Sequence, residues 1–196
     1  MPSEIVTVPN QVLRIPAKKV DILDKKILDV IARLYTALKS AKSPAGVGLA
    51  APQIGEPYQV FLLWADHKKE PELFINPEII ESSQRQQSPL DTHVPKKDRG
   101  VYEGCLSIPH HYAPLSRSIS VTVKYSTSPL TPLLSLGEGN KRGEVKEITA
   151  TFTGFPAHII QHEIDHLNGI LFIDRVLQQN TSLYRVEGKT WTEISL

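Results

Sequence analysis

QHEIDHLNG, at residues 161–169, contains the pattern His-Glu-x-x-His. Residues four apart lie on the same face of an α-helix, so His162 and His166 can present two imidazole rings to one metal ion. Glu163 is the next residue round the helix and can reach a water molecule at that metal. The stretch therefore predicts a metal-binding helix with a carboxylate beside the metal.

The helix around this pattern is predicted to be buried, because it is apolar on nearly every side. At about 100° per residue, its two opposite faces are formed by Phe155, His158, Ile159, His162 and His166, and by Ile160, Ile164 and Leu167. Buried histidines need partners, which favours metal binding over an ordinary polar surface helix. Pro156 suits the first helical turn and Gly169 suits the end of the helix.

The composition indicates a globular protein with no general attraction to nucleic acid or to anionic membranes. The chain has 196 residues, of which 40% are hydrophobic and 22% are charged, and its formal net charge is +1. These values suit a single domain over residues 1–196, and no apolar run reaches transmembrane length. The single cysteine and an N-terminus unlike a secretory or transit signal predict a cytoplasmic location, with an organelle as the alternative.

The remaining periodic patterns predict one further long helix and several strands. Asp21 or Asp24 can cap a helix that runs to about Ala41, with apolar residues at three- and four-residue spacing. Apolar runs and alternating patterns predict strands at residues 58–64, 73–80, 118–125 and 147–155, and a short extended piece at residues 12–15.

Three further regions are predicted to lack regular structure. Residues 81–100 and 126–146 are polar or rich in Pro, Ser and Gly, and we expect them to form long loops. Residues 178–196 have no helical stripe and are expected to form an irregular tail.

Residues 46–53 read GVGLAAPQ, and their glycines and small side chains let the backbone approach another group closely. A phosphate-binding loop is not indicated, because neither Gly-Lys-Ser/Thr nor GxGxxG is present. On its own, the segment is equally compatible with a plain turn.

A third protein ligand is needed, because catalytic zinc-type sites use three protein ligands and a water molecule. In one common arrangement a third histidine follows six residues after the second, but Phe172 occupies that position. The glutamates of the tail lie outside any helical pattern. Cys105 remains as a candidate because a thiolate is a strong ligand for divalent transition metals, and His110 and His111 are competing donors.

Three segments of the chain together resemble the peptide deformylase family. The family's motifs GxGLAAxQ, EGCLS and QHExDHLxG occur in the same order at residues 46–53, 103–107 and 161–169, and the resemblance covers most of residues 1–176. It implies an α+β fold with mixed, mainly antiparallel strands packed around a central buried helix that carries HExxH. It also implies a hydrolase that removes the N-formyl group from the N-terminal formylmethionine of newly synthesised polypeptides and releases formate.

The resemblance implies a metal site and its general base. Cys105, His162 and His166 would bind one divalent metal ion per chain, expected to be Fe²⁺, for which Zn²⁺, Ni²⁺ or Co²⁺ substitutes. Glu163 would act as the acid and base of the reaction, taking a proton from the attacking water and passing it to the departing amine.

The resemblance also implies how the substrate is bound. The side-chain amide of Gln53 and the backbone N–H of Leu106 would donate hydrogen bonds to the substrate carbonyl, and Gly48 would pair with the substrate backbone. The partners would be N-formylmethionyl nascent peptides, with transient ribosome association but no specific nucleic acid and no membrane. The C-terminal helix linked to ribosome docking in many bacterial members is not apparent, and the 81–100 and 126–146 loops are longer than in compact members.

From these roles we predict a small formyl site and an apolar slot for the methionine side chain. Tight walls from Gly46, Gly48 and Leu106 would exclude an acetyl group. The slot is expected to be lined by Val47, Phe155, His158 and Ile159, although His158 is an unusual lining residue for which a solvent-facing position is the alternative. Glu103 and Arg117 are expected to form an ion pair beneath the cysteine.

Other functions compete with this hypothesis. An HExxH metalloendopeptidase would need an extended cleft on both sides of the cleaved bond. A non-enzymatic protein of the same fold would have a defective site, whereas the complete set of candidate residues favours an active one. A cysteine nucleophile would leave the two histidines without an equally good explanation.

Overall fold

The computed structural model describes residues 4–42, 44–89, 101–128 and 145–195. Within these ranges the chain forms three α-helices, α1 (Lys25–Ser40), α2 (Phe155–Leu167) and α3 (Phe172–Gln179), and two 3-10 helices, Gln11–Arg14 and Ala51–Ile54. The strands are β1 (Gly48–Ala50), β2 (Val60–Leu63), β3 (Glu72–Ser82), β4 (Gln86–Gln87), β5 (Glu103–Cys105), β6 (Ile108–Ala113), β7 (Arg117–Ser118), β8 (Ser120–Thr127), β9 (Lys146–Thr153), β10 (Leu183–Glu187) and β11 (Thr190–Ile194).

The strands form three sheets, and every pairing between named strands is antiparallel. The strand orders are β1-β2-β3-β8-β9, β11-β10-β6-β5 and the pair β4-β7. The predicted α+β class with mainly antiparallel strands is therefore confirmed.

Strand β2 is apolar at every position because both of its faces are buried. Val60 and Leu62 pack into a core cluster with α1, whereas Phe61 and Leu63 pack into a second cluster with α2. Because successive side chains of a strand point to opposite faces, a strand covered on both faces must be apolar throughout. The five-stranded sheet is thus packed between the two long helices.

Helix α1 begins and ends as the sequence predicts. The Asp24 side chain caps its first turn by accepting a hydrogen bond of 2.9 Å from the backbone N–H of Ile27. The apolar stripe of the helix is buried, as the three- and four-residue spacing requires.

Helix α2 is held in place by its ends and by Gln161. Pro156 lies in its first turn, and Gly169 follows its C-terminal end with a φ of 73°. Gln161 accepts a 3.0 Å hydrogen bond from the Ser118 backbone N–H and donates one of 2.9 Å to the Ser118 carbonyl oxygen. These bonds fix the helix against β7, and most side chains from Ala157 to Leu167 are buried.

Two predictions about local structure are wrong. Residues 12–15, expected to be extended, belong largely to the 3-10 helix Gln11–Arg14, whose first turn is capped by the side chain of Asn10. Residues 178–196, expected to be irregular, contain the end of α3 and the hairpin of β10 and β11. Asn180 ends α3 in a left-handed conformation with φ 48°, and Gly188, with φ 60°, lies in the hairpin turn.

Strand β3 contains a local irregularity at residue 76 but continues through it. The register against β8 shifts between Ile75 and Glu78, and Asn76 adopts a φ of 50°. Its side chain exchanges two 2.8 Å hydrogen bonds with the backbone of Val20.

The two predicted loops are only partly described. Residues 81 and 82 end β3, and β4 lies within the 81–100 region, so that this region is not entirely a loop. Residues 90–100 and 129–144, which form most of the two regions, lie outside the described residues. In the part of the chain that is described, none of the helices is both long and apolar enough to span a membrane.

Candidate active site

Three buried donor atoms meet between β5 and α2. Cys105 is the last residue of β5, and His162 and His166 stand one turn apart on α2. Their ligand atoms all lie within 4.8 Å of one another, and Cys105 Sγ is 3.2 Å from His166 Nε2. One sulfur and two imidazole nitrogens form a donor set suited to a divalent transition metal, so these residues fit the expected ion.

Glu103 orients one of the two histidines. His162 donates from Nδ1 to Glu103 Oε1 at 2.7 Å, so that its Nε2 is the ring nitrogen available as a metal ligand. A carboxylate on the outer nitrogen is the usual way in which proteins fix the tautomer and direction of a metal-binding histidine. This contact is a second reason why the three donors fit a metal ion.

The predicted ion pair between Glu103 and Arg117 is present and bidentate. Arg117 Nε lies 2.9 Å from Glu103 Oε2, and Arg117 Nη2 lies 2.7 Å from Glu103 Oε1. Burial alone would raise the pKa of Glu103, but the charges of Arg117 and His162 lower this pKa well below its usual value. Glu103 is therefore a permanent anion behind the histidines.

Asp165 extends this network to α3. Its Oδ2 accepts from Arg117 Nη1 at 2.6 Å and from Arg175 Nε at 3.0 Å, while its Oδ1 accepts from Arg175 Nη2. The HExxH helix thus contributes a further buried carboxylate, which shares Arg117 with Glu103.

The two histidine rings have different electrostatic surroundings. Burial lowers the pKa of His166 well below its ordinary value, and the charge of His162 adds to this effect. Burial also opposes the charged form of His162, but Glu103 and Cys105 raise the pKa of His162 well above its ordinary value.

Glu163 is buried in very different surroundings from Glu103. Its Oε2 has no hydrogen-bond partner among the described residues, and burial raises the pKa of Glu163 to about 7. Gly48 leaves the space that the carboxylate occupies, since a Cβ at Gly48 would lie only 2.4 Å from Glu163 Oε1. A carboxyl group with a pKa near neutrality is suited to general acid and base catalysis.

Gln53 lies beside the cysteine sulfur. Its Oε1 accepts from the Ala50 N–H at 2.9 Å, which directs its Nε2 to within 3.5 Å of Cys105 Sγ and 3.2 Å of Ser107 Oγ. Ser107 also directs its backbone N–H to Cys105 Sγ at 3.4 Å. Sequence reasoning did not select Ser107, although it closes the EGCLS segment.

One cavity of about 360 Å³ joins these groups to the surface. Its walls contain every candidate substrate-binding residue, all three candidate catalytic residues and two of the three candidate metal ligands: Gly46, Val47, Gly48, Gln53, Cys105, Leu106, Phe155, Ile159, His162 and Glu163. His166 contributes to the donor set from behind this wall. Phe155 is 39% exposed, so this end of the helix face is less buried than its periodicity predicts.

Three further histidines, His110, His111 and His158, line the same cavity. His158 is buried, with Nε2 at 2.9 Å from Glu103 Oε2, so that the solvent-facing alternative is wrong. His110 and His111 line the cavity mouth but do not belong to the cluster of metal donors found among the described residues. A Cβ at Gly46 would meet Leu38 Cδ1 at 2.7 Å, so this glycine is also required for packing against α1.

Comparison with known proteins gives consistent matches. The family model described as Polypeptide deformylase matches residues 2–133 and 140–182. A peptide deformylase of Mesorhizobium japonicum is 37% identical over 180 residues, covering 88% of this chain and 82% of the relative. The crystal structure of a peptide deformylase from Thermotoga maritima superposes with a TM-score of 0.67 at 31% identity, covering 89% of this chain and 97% of that one.

A further solved structure contains a peptide. The class I type b peptide deformylase from Acinetobacter baumannii, bound to Met-Ala-Ser, has a TM-score of 0.67 at 27% identity and covers 89% of this chain and 98% of its own. The agreement of motifs, donor geometry and overall similarity leads to one conclusion: the chain belongs to the polypeptide deformylase family.

Proposed function

We propose that this chain carries out deformylation with Cys105, His162 and His166 holding one divalent metal ion and Glu163 acting as the general base. The chain is a metal-dependent hydrolase that removes the N-formyl group from newly synthesised polypeptides. The observation that carries the residue roles is the buried carboxylate of Glu163, whose Oε2 has no hydrogen-bond partner among the described residues and which lines the same cavity as the donor set.

The identity of the ion is part of this proposal. The sulfur and two nitrogens suit a divalent transition metal, and we take Fe²⁺ as the native ion, replaceable by Zn²⁺, Ni²⁺ or Co²⁺. When bound, the ion supplies Lewis acidity toward the formyl carbonyl and lowers the pKa of water at the site.

The chain's own residues move the protons. Glu163 accepts a proton from the attacking water, whose oxygen forms the new bond to the formyl carbon. As the C–N bond breaks, Glu163 delivers that proton to the departing amine, so that water and the formyl peptide give formate and a free N-terminus. The unpaired Oε2 of Glu163 is the oxygen available for both transfers.

The carbonyl oxygen gains negative charge during this reaction. We assign its stabilisation to the side-chain amide of Gln53 and the backbone N–H of Leu106, both of which belong to the cavity wall. Loss of one such donor typically costs about 2.7–4 kcal/mol of barrier.

The substrate would be held by the narrow parts of the cavity. Gly46, Gly48 and Leu106 would exclude an acetyl group, Gly48 would pair with the substrate backbone, and Val47, Phe155 and Ile159 would line the methionine slot. All of them contribute to the same cavity wall. Binding of Met-Ala-Ser by the Acinetobacter relative supports a peptide with an N-terminal methionine as the product released here.

Several wider statements stay predictions from the sequence. They are a single catalytic domain over residues 1–196, a central role for α2, transient association with ribosomes and a cytoplasmic location. The contacts of α2 with strands of the five-stranded sheet and with β7 support its central role.

The test combines metal analysis with product detection. Protein purified without oxygen is expected to contain one transition-metal ion per chain and to release formate from formyl-Met-Ala-Ser without cleaving internal peptide bonds. Cleavage of an internal bond would favour a metalloendopeptidase, and an inactive protein without metal would favour the non-enzymatic alternative.

Cys105→Ala tests the ligand set directly. The variant is expected to lose metal and formate release together, whereas Leu177→Ala, at an exposed position on α3, keeps both. An unaltered metal content in Cys105→Ala would remove the sulfur from the ligand set.

A further inference from the structure

The C-terminal hairpin adds to the sheet that carries Cys105. The family model ends its match at residue 182, whereas β10 and β11 lie at Leu183–Glu187 and Thr190–Ile194. Strand β10 pairs with β6, placing Tyr184 opposite Tyr112, and β6 pairs in turn with β5. A segment outside the family match is therefore joined through one strand to the cysteine strand.

Four aromatic rings form a cluster on this sheet, and we call Tyr102, Tyr112, Tyr184 and Trp191 the aromatic cluster. The ring of Trp191 lies 5.2 Å from that of Tyr102, 5.5 Å from that of Tyr112 and 6.0 Å from that of Tyr184. Tyr102 is 38% exposed and Trp191 is 48% exposed. Large rings left this exposed are unusual in a core and typical of a binding surface.

The aromatic cluster is continuous with the active-site cavity. Tyr102 and Tyr112 line the same cavity as Glu163, and the partly exposed ring of Trp191 packs against both tyrosines. At about 360 Å³ the cavity is near the lower limit for small-molecule sites, so that only the end of a polypeptide fits inside. The rest of the substrate must cross the mouth, where these rings lie.

We propose that the aromatic cluster binds the part of the formylated peptide that follows the formylmethionyl residue and favours apolar or aromatic side chains there. This inference rests on the proposed function, since it takes a peptide as the substrate. The Trp191 ring contacts the bound peptide itself. It also holds the rings of Tyr102 and Tyr112 against the cavity mouth.

A purely structural role for the cluster predicts a different result. Tyr112 covers Gly104, where a Cβ would lie 2.6 Å from the tyrosine Cε1, and Gly104 precedes the metal-binding candidate Cys105. If the cluster only braced this strand, loss of Trp191 would change the metal content and would slow the reaction equally on every substrate.

The experiment uses the metal-loaded full chain and substrates of increasing length. Formate release is measured for formyl-methionine amide, formyl-Met-Ala-Ser and formyl-Met-Leu-Phe in wild type, Trp191→Ala and Trp191→Phe. In Trp191→Ala we expect kcat/KM for formyl-Met-Leu-Phe to fall about fivefold more than for the amide, through KM, with an unchanged metal content. Trp191→Phe should recover most of this loss because it restores an aromatic ring.

Controls separate this inference from the proposed function. Binding of the product peptide Met-Leu-Phe, measured by titration, requires no turnover and should weaken about fivefold in Trp191→Ala and in Tyr102→Ala. Leu177→Ala removes an exposed apolar side chain away from the cavity lining and should change neither measurement. Equal losses on all substrates, or unaltered peptide binding in both variants, overturns the inference, whereas a wild type that releases no formate refutes the proposed function.

Discussion

The regions behind and in front of His162 each contain a buried glutamate, and the surroundings of the two carboxylates are opposite. Behind the ring, Glu103 accepts two hydrogen bonds from Arg117 and one from His162, and the pKa of Glu103 is held well below its usual value. In front, Glu163 faces the space left by Gly48, and burial raises the pKa of Glu163 to about 7.

This difference separates a positioning carboxylate from one that transfers protons. Environments that push the pKa values of two similar groups apart commonly mark their separate roles in catalysis. Glu103 cannot take part in proton transfer at neutral pH without losing three strong contacts, whereas Glu163 has an oxygen with no partner among the described residues. We therefore expect changes in front of the ring to affect turnover and changes behind it to affect stability and metal binding.

Glu163→Gln should have the largest effect on turnover. The amide keeps the shape of the side chain but cannot accept the proton, so kcat should fall by about 10²–10⁴ while the metal content is kept. Formate release and metal analysis on the same sample measure both quantities, and Glu78→Gln, on the exposed side of β3, serves as the control. A variant with normal kcat would show that Glu163 is not the base.

Glu103→Gln should instead destabilise the fold and weaken the metal site. The change removes the bidentate carboxylate from the buried guanidinium of Arg117 and leaves it the contact with Asp165. Breaking a buried ion pair typically costs about 3–5 kcal/mol of unfolding free energy, and the remaining contact places the expected loss toward the lower end of this range. Loss of the carboxylate on His162 typically lowers metal affinity by about 10–100-fold. Denaturant unfolding and metal titration measure these effects.

The matched control for this change is Glu147→Gln, in the exposed ion pair with Lys124, which is worth about 1 kcal/mol or less. If Glu103→Gln behaved like this control, Glu103 would not be needed to position the ring of His162.

Gly48→Ala tests the space in front of the ring. The added Cβ would lie 2.4 Å from Glu163 Oε1 and 2.7 Å from Ile159 Cγ2, so the carboxylate has to move. A displacement of about 1 Å at a catalytic group can lower kcat by about 10²-fold, and overpacking costs about 1–3 kcal/mol of stability. Gly55→Ala, where a Cβ would meet no atom within 4 Å, is the control for a glycine change, although its φ of 82° carries its own strain. An unchanged kcat would show that Glu163 tolerates displacement.

The features predicted from the sequence are those fixed by local patterns. The apolar stripe and the Asp24 cap predict the position of α1. The HExxH spacing predicts that His162 and His166 share one face of α2 and can bind the same metal ion. Residues 46–53 and 103–107 contribute cavity walls because each segment is short and its own backbone positions its side chains.

The hairpin of β10 and β11 was missed because its stability depends on distant residues. Leu183 is its buried apolar side chain, and the pairing of Tyr184 with Tyr112 joins two parts of the chain that are far apart in sequence. The contact of Asp165 with Arg175 was missed for the same reason, since it needs the turn between α2 and α3. Such pairings leave no periodic signal in a single sequence.

Arg175→Ala should have the smallest effect on stability and metal affinity. It tests whether the contacts that orient His162 extend from Glu103 as far as α3. Arg175 binds Asp165 from α3, but its side chain is 29% exposed and Asp165 keeps its 2.6 Å contact with Arg117 when Arg175 is removed. A partly exposed pair with a remaining partner typically contributes about 1 kcal/mol or less, and the contribution falls with added salt. We therefore expect a small decrease in unfolding free energy, reduced further at high salt, with the metal affinity unchanged. A loss of metal affinity as large as in Glu103→Gln would mean that the orientation of His162 depends on the whole chain of contacts from α3, and that the positioning region extends to the protein surface.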